Sequence, residues 1–146
     1  MRLTSFTDYS LRVLLYLAAE PSRRATIAEI AKAFDVSENH LTKVVHLLGK
    51  QGWIDTARGK GGGILLAKAP RDICVGKVVR DTEGAALPAE CFADDGGHCV
   101  ISGCCKLAGV LAEAVAAFHA VLDHYTLADI AGNRHILGKV LMLRAA

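Results

Sequence analysis

Aromatic side chains are scarce in this chain, at 5% of its residues, and alanine is abundant, which favours helices as the core-building elements. Long apolar runs are missing too. Val13 to Leu17 is apolar, but Asp8 and Arg12 interrupt it upstream, and no stretch is long and uncharged enough to span a bilayer. No secretory signal is visible, so a cytoplasmic location with no membrane partner is expected. There is no nucleophile–base pair, no phosphate cradle and no pair of catalytic carboxylates, so an enzyme is not expected. The Gly-rich segment at 59–63 lacks the spacing of a P-loop. Paired C-x2-C knuckles are absent, which excludes a zinc ribbon. Internal repeats and low-complexity tracts are also absent. What remains is a 146-residue chain, 52% hydrophobic and 22% charged, enough for a folded domain with a true core and too apolar for a disordered one.

Net charge is only +2, but it is unevenly spread. Residues 1–80 carry +6 and residues 81–146 carry −4. A basic front half can neutralise phosphates, whereas an acidic rear half is repelled by them. The front half also has the pattern of a DNA reader. Apolar residues at Phe6, Tyr9, Val13, Tyr16 and Leu17 give a first helix over 6–19, ended near Pro21. Thr26 and Glu29 form a capping box that opens a second helix, Ile27 to Phe34. Asp35 and Val36 make a turn, and Ser37 caps a third helix running to Lys50, with Gly52 as its C-cap. The third helix begins with small polar residues, as base reading in a major groove requires. Ser37, Asn39, His40 and Lys43 are its candidate DNA contacts. Strands at 53–57 and 64–67 flank a basic, flexible tip whose Arg58, Lys60 and Gly61 are candidate wing contacts. A fourth helix is expected at Val75 to Glu83, a long one at 106–125 and a short terminal one opened by the capping box of Thr126 and Asp129. The fold class is therefore mainly α with a small β-hairpin wing: a winged helix-turn-helix over 1–83, a cysteine-rich loop over 84–105, and a dimerisation helix with a C-terminal helical segment over 106–146.

Five cysteines in a chain expected to stay in a reducing compartment point to ligand or redox roles rather than disulfides. Cys91, Cys99 and Cys105 fall within a short Gly-rich stretch, where thiolates at close spacing can grip one metal centre. The spacing leaves an iron–sulfur cluster, a zinc ion and redox-active thiols all open. A fourth ligand could be Cys104, His98, Cys74, a carboxylate or an exogenous group. Cys74, between Ile73 and Val75, reads as a buried small hydrophobe. His119 and His124 read as structural or surface residues.

The opening MRLTSFTDYSLRVLLYLA, the wing RGKGGGI, the cysteine loop ending in CKL, and the segment LDHYTLADI, in that order, resemble the Rrf2 family of winged-helix regulators, above all its nitric-oxide-sensing iron–sulfur repressors. The likeness runs from Met1 to about Leu143. It implies a homodimer packed through the long helices. It also implies an iron–sulfur cluster, 4Fe–4S ahead of 2Fe–2S, on Cys91, Cys99 and Cys105, with Asp8 of the partner subunit completing the ligand set. The function implied is repression at a palindromic operator, relieved when nitric oxide attacks the cluster. The gap CFADDGGHC between Cys91 and Cys99 is closer to an iron-responsive branch of the same family, so an iron- or cluster-status-responsive repressor is the alternative signal reading. A zinc or thiol-redox DNA-binding module is the remaining one.

Overall fold

The computed structural model describes residues 3–59, 61–84, 89, 92, 99–101 and 104–145, with backbone alone for 143–145. Among these residues the chain runs α1 (Ser5–Ala19), α2 (Ile27–Phe34), α3 (Glu38–Lys50), β1 (Ile54–Ala57), β2 (Gly63–Leu66), a single 3-10 turn (Pro70–Asp72), α4 (Val75–Glu83), α5 (Leu107–Asp123), α6 (Leu127–Ala131) and α7 (Arg134–Ala145). Helices dominate, and the two strands form one antiparallel hairpin, paired from Ile54↔Leu66 to Ala57↔Gly63.

Helix α1 is the central strut. Val13, Leu14, Tyr16, Leu17 and Ala18 are all buried, so its second half is apolar around most of its circumference, which is the signature of a helix enclosed by others. It packs against α2, α3, α4, α6, α7 and β2. Full burial of a side chain such as Leu14 or Leu17 contributes about 1.5–3 kcal/mol. The helix begins one residue earlier than its apolar periodicity, and Thr4 is its cap: the Thr4 hydroxyl accepts from the Thr7 N–H at 3.2 Å.

Helices α2 and α3 form the expected pair. The Thr26–Glu29 capping box is present in both directions, at 2.7 Å and 3.2 Å. The turn is tight because Asp35 adopts a left-handed conformation, φ +53°, which Asp tolerates better than most residues. The Val36 N–H then donates back to the Ala31 carbonyl at 3.0 Å. Leu41, Val44, Val45 and Leu48 anchor α3 in the core. Its end is closed by Gly52 at φ +71°, with Gly52 N–H donating to Gly49 and Trp53 N–H to Leu48, a Schellman closure. The hairpin is stitched to the rest at two points. Ala25 and Ile64 exchange backbone hydrogen bonds at 3.0 and 2.8 Å, and the buried Trp53 donates its indole N–H to Asp81 of α4 at 3.0 Å.

Helix α4 spans Val75–Glu83 as its periodicity indicates, and α6 carries the reciprocal Thr126–Asp129 capping box. The start of α4 and the end of α5 are joined: Val75 N–H donates to Tyr125 and Leu127 N–H to Ile73. The apolar setting of Cys74 suggested burial, but its thiol is half-exposed and lies 3.6 Å from an Asp123 carboxylate oxygen. Helix α7 extends well beyond the short terminal helix read from the sequence. It folds back on α1 and α2, and Leu141 joins the same core as Leu14 and Ile30.

Helix α5 is the outlier. None of its residues is buried; Leu107, Val110 and Val121 are each more than half exposed, and Leu111, Val115, Phe118 and Leu122 are half-buried. No helix among the described residues is long and apolar enough to cross a membrane.

Candidate nucleic-acid interface and cluster ligands

Anchoring α3 through Leu41, Val44, Val45 and Leu48 leaves the opposite face to solvent. Ser37, Asn39, His40 and Lys43 are all exposed on it. Ser37 occupies the N-cap position but makes no side-chain capping bond, so its hydroxyl is not committed to the helix. Such a first turn, with uncommitted donors and acceptors, is suited to contact base edges. His40 is less free than its neighbours. Its ring stacks on Tyr9 of α1, centroids 6.3 Å apart.

The wing follows directly. Arg58 is exposed at the end of β1, and among the described residues it faces no carboxylate, unlike Arg12, Arg23 and Arg80. Gly61 sits at φ +81°, and the Gly62 N–H donates to Gly59 at 2.9 Å, closing the tip. A Cβ at Gly62 would lie 2.4 Å from the Ala57 carbonyl oxygen, so this position admits only glycine without rearrangement. Lys60 lies outside the described residues. A groove lined by Thr42, His46, Lys50, Thr56 and Arg58 runs between α3 and the wing. The structure thus brings the exposed helix face and the wing to one side of the protein.

The expected cluster ligands are only partly in view. Cys91 and His98 lie outside the described residues. Cys99 and Cys105 are free, half-buried thiols, and Cys104 is exposed with its thiol turned to the Ile101 carbonyl. Among the described residues no three His, Cys, Asp or Glu side chains gather to hold a metal ion. The donors nonetheless fit a cluster in kind: soft thiols not tied in disulfides, and a carboxylate accessible to a second chain.

That carboxylate is Asp8, in the first turn of α1. It forms a two-point ion pair with Arg12, at 2.8 Å and 3.1 Å. The Arg12 guanidinium lies over two rings, Tyr9 at 5.9 Å and Phe34 at 5.8 Å from the centroids. A chain of contacts therefore runs from Asp8 through Arg12 to Phe34 at the end of α2, and through Tyr9 to His40 on α3. The sequence reading did not assign Arg12 a role, although its spacing of four from Asp8 on one helix was a signal for the pair.

Further ion pairs brace neighbouring elements. Arg23 pairs with Glu29. Burial pushes the Glu29 carboxyl upward, but the Thr26 N–H and hydroxyl and the Arg23 charge outweigh it and hold it below the usual carboxylate range. At the α4–α5 contact Arg80 pairs with Asp123, whose carboxyl is held low first by the Arg80 hydrogen bond and further by Cys74. Helix α4 can approach that closely because position 76 is glycine; a Cβ there would lie 2.2 Å from the Asp123 carboxylate.

The family model for Rrf2, described as an iron-dependent transcriptional regulator, matches residues 3–133. The chain belongs to the Rrf2 family. It is 48% identical over 145 residues to the HTH-type transcriptional regulator NsrR of Bacillus subtilis (strain 168), covering 99% of both chains. It is 49% identical to the regulator of the same name from Geobacillus kaustophilus (strain HTA426), again covering 99% of each. Among solved structures it resembles T. potens IscR, with TM-score 0.71, 26% identity and coverage of 89% of this chain and 85% of that one. It also resembles CymR (YrzC), the global cysteine regulator of B. subtilis, with TM-score 0.68, 27% identity and coverage of 90% and 96%. This Rrf2 protein is accordingly a DNA-binding transcriptional regulator with a winged helix-turn-helix fold.

Proposed function

We propose that this Rrf2 protein is a cytoplasmic, homodimeric repressor whose grip on a palindromic operator depends on an iron–sulfur cluster, 4Fe–4S ahead of 2Fe–2S, and is released by nitric oxide. Residues 1–83 read DNA, 84–105 hold the cluster and 106–146 assemble the dimer. Cys91, Cys99 and Cys105 of one subunit and Asp8 of the partner subunit form the ligand set. On the DNA side, Ser37, Asn39 and His40 read base edges, Lys43 reaches phosphate or guanine, and Arg58, Lys60 and Gly61 bring the wing to the backbone. When bound, the cluster supplies iron open to a small diatomic gas at its most weakly held position.

The observation that carries the reading is the contact chain from Asp8 to His40. Asp8 is the one oxygen donor in the set and the softer thiolates hold iron better, so Asp8 is the ligand surrendered first. A surrendered Asp8 carboxylate has a partner waiting in Arg12. Taking it up shifts a guanidinium lying over Tyr9 and Phe34, and Tyr9 supports His40 on the reading helix. Ligation and pairing with Arg12 thus compete for one carboxylate, and the competition is felt at the DNA-facing turn.

The test is anaerobic purification with iron and sulfide analysis, visible absorption during nitric oxide titration, and operator binding on the same sample. Iron and sulfide, with bleaching and loss of binding in parallel, are expected. Protein lacking both, yet still responsive to its signal, would overturn the proposal. The long Cys91–Cys99 gap favours iron status as a second reading of the signal: loss of binding on iron chelation with indifference to nitric oxide would select it. A colourless protein with stoichiometric zinc would select a zinc module instead.

A further inference from the structure

Helix α1 owes its N-terminus to a residue far away in sequence. Glu83, the last residue of α4, accepts from the Thr4 N–H at 3.0 Å and from the Thr4 hydroxyl at 3.1 Å. It also accepts a short hydrogen bond from the Thr7 hydroxyl. Thr7 is wholly buried, so its hydroxyl has little recourse to water. Thr4 in turn caps the Thr7 N–H, and the Asp8 N–H donates to the Thr4 carbonyl at 3.0 Å. One carboxylate therefore fixes the whole turn that carries Asp8. A carboxylate is also the group favoured at a helix N-terminus, where the backbone N–H groups are otherwise unpaired. Glu83 has a second connection. The next residue, Gly84, turns at φ +63° and ends α4, and the chain leaves there for the cysteine segment.

We propose that Glu83 and Thr7 are the positioning pair for Asp8: they fix the height and direction of the first turn of α1, so that Asp8 meets the partner subunit's cluster in register. The pair also makes the placement of Asp8 depend on the helix from which its own chain's cysteine segment departs. Each end of the dimer thereby senses the other. This inference rests on the ligand role of Asp8 given above.

The experiment uses Thr7→Val, which keeps shape and removes the hydroxyl, and Thr7→Ser, which restores the donor, each alone and in an Asp8→Ala background. Two quantities are read on the full-length dimer. One is amide exchange of residues 4–9 in cluster-free protein, a measure of the clamp itself. The other is the anaerobic rate of cluster loss to a chelator, followed by visible absorption. Thr7→Val is expected to speed exchange over residues 4–9 by roughly tenfold or more, as loss of a buried hydrogen bond of about 1.4 kcal/mol would. It should speed cluster loss several-fold with Asp8 present and leave it unchanged with Asp8→Ala. Thr7→Ser should restore both. Equal acceleration in both backgrounds would reduce the pair to a general structural role and overturn the proposal, because residues acting through one another are non-additive. Unchanged exchange, or unchanged cluster loss in the Asp8 background, would overturn it as well. Wild-type protein without iron and sulfide fails at an earlier point, overturning the ligand role of Asp8 itself.

Discussion

Arg58 gives the sharpest quantitative test of the wing. It is exposed at the end of β1 and faces no carboxylate among the described residues, so its charge is available for a phosphate. Replacement by Ala removes no core contact, and fold stability should change by no more than about 0.5 kcal/mol. Each neutralised phosphate contributes about 0.9 to the slope of log K against log salt concentration. The proposed dimer places two wings on its operator, so Arg58→Ala should flatten the slope by about 1.8. Between about 50 and 200 mM salt, that difference amounts to roughly a tenfold smaller loss of affinity for the variant than for the parent. Arg58→Lys retains the charge and should retain the slope, although not the planar donor fork. The assay is fluorescence anisotropy with an operator duplex across that salt range. A slope unchanged in Arg58→Ala would refute the phosphate contact. Equal flattening in Arg58→Lys would show that charge was not the operative property.

Other consequences follow from single positions. Gly62→Ala would set a Cβ against two backbone oxygens, Ala57 at 2.4 Å and Gly59 at 2.9 Å; operator affinity should fall while far-ultraviolet circular dichroism holds, and wild-type affinity would remove the wing tip from the interface. Gly76→Ala would set a Cβ against the Asp123 carboxylate at 2.2 Å and its backbone N at 2.9 Å; a cost of about 1–3 kcal/mol is expected in urea unfolding, and a loss below about 0.5 kcal/mol would show the contact to be loose. Glu29 makes stability depend on acid. Its folded carboxyl lies below the usual range, so its contribution is full above the unfolded value, about 4.3, and is lost as pH falls through the folded value. Urea midpoints for wild type and Glu29→Gln should converge from about pH 6 to pH 3; parallel lines would contradict the assignment.

Local signals carried much of this fold. The two capping boxes, Thr26–Glu29 and Thr126–Asp129, placed α2 and α6 because both partners lie within one turn. Gly52 marked the end of α3 for the same reason. The misreadings share a physical cause: the deciding partner is remote in sequence. The cap of α1 went unread because Thr4 and Ser5 are alike by type, and the residue that binds Thr4, Glu83, lies 79 positions away. Apolar neighbours suggested that Cys74 was buried, but its thiol is half-exposed beside Asp123 at the end of α5. Helix α7 was hard to see because Ile136 and Val140 face solvent while Leu137 and Leu141 face the core. The exposed turn of α3 was legible residue by residue; the Tyr9 support beneath His40 was not, because it depends on how α1 crosses α3.

Two features that look separate are one physical problem. A 17-residue helix with no buried residue is marginal in water, because a costly nucleus is repaid mainly by packing. The half-buried stripe of α5 is satisfied by its own chain through α4, whereas Leu107, Val110, Val121 and Tyr125 are not. Because each is already partly covered, burying the remainder of each of these side chains would contribute about 1–2 kcal/mol. The proposed ligand set is incomplete in the same sense, since its one carboxylate, Asp8, comes from the partner subunit. In the proposed dimer a second copy addresses both at once: its long helix covers the exposed stripe of α5, and its Asp8 reaches the cysteines. On this view dimer stability and cluster retention are coupled free energies. A surface charge placed at Val121 should then weaken the hold on iron without touching a ligand, and supplying a cluster should tighten the dimer by the same free energy.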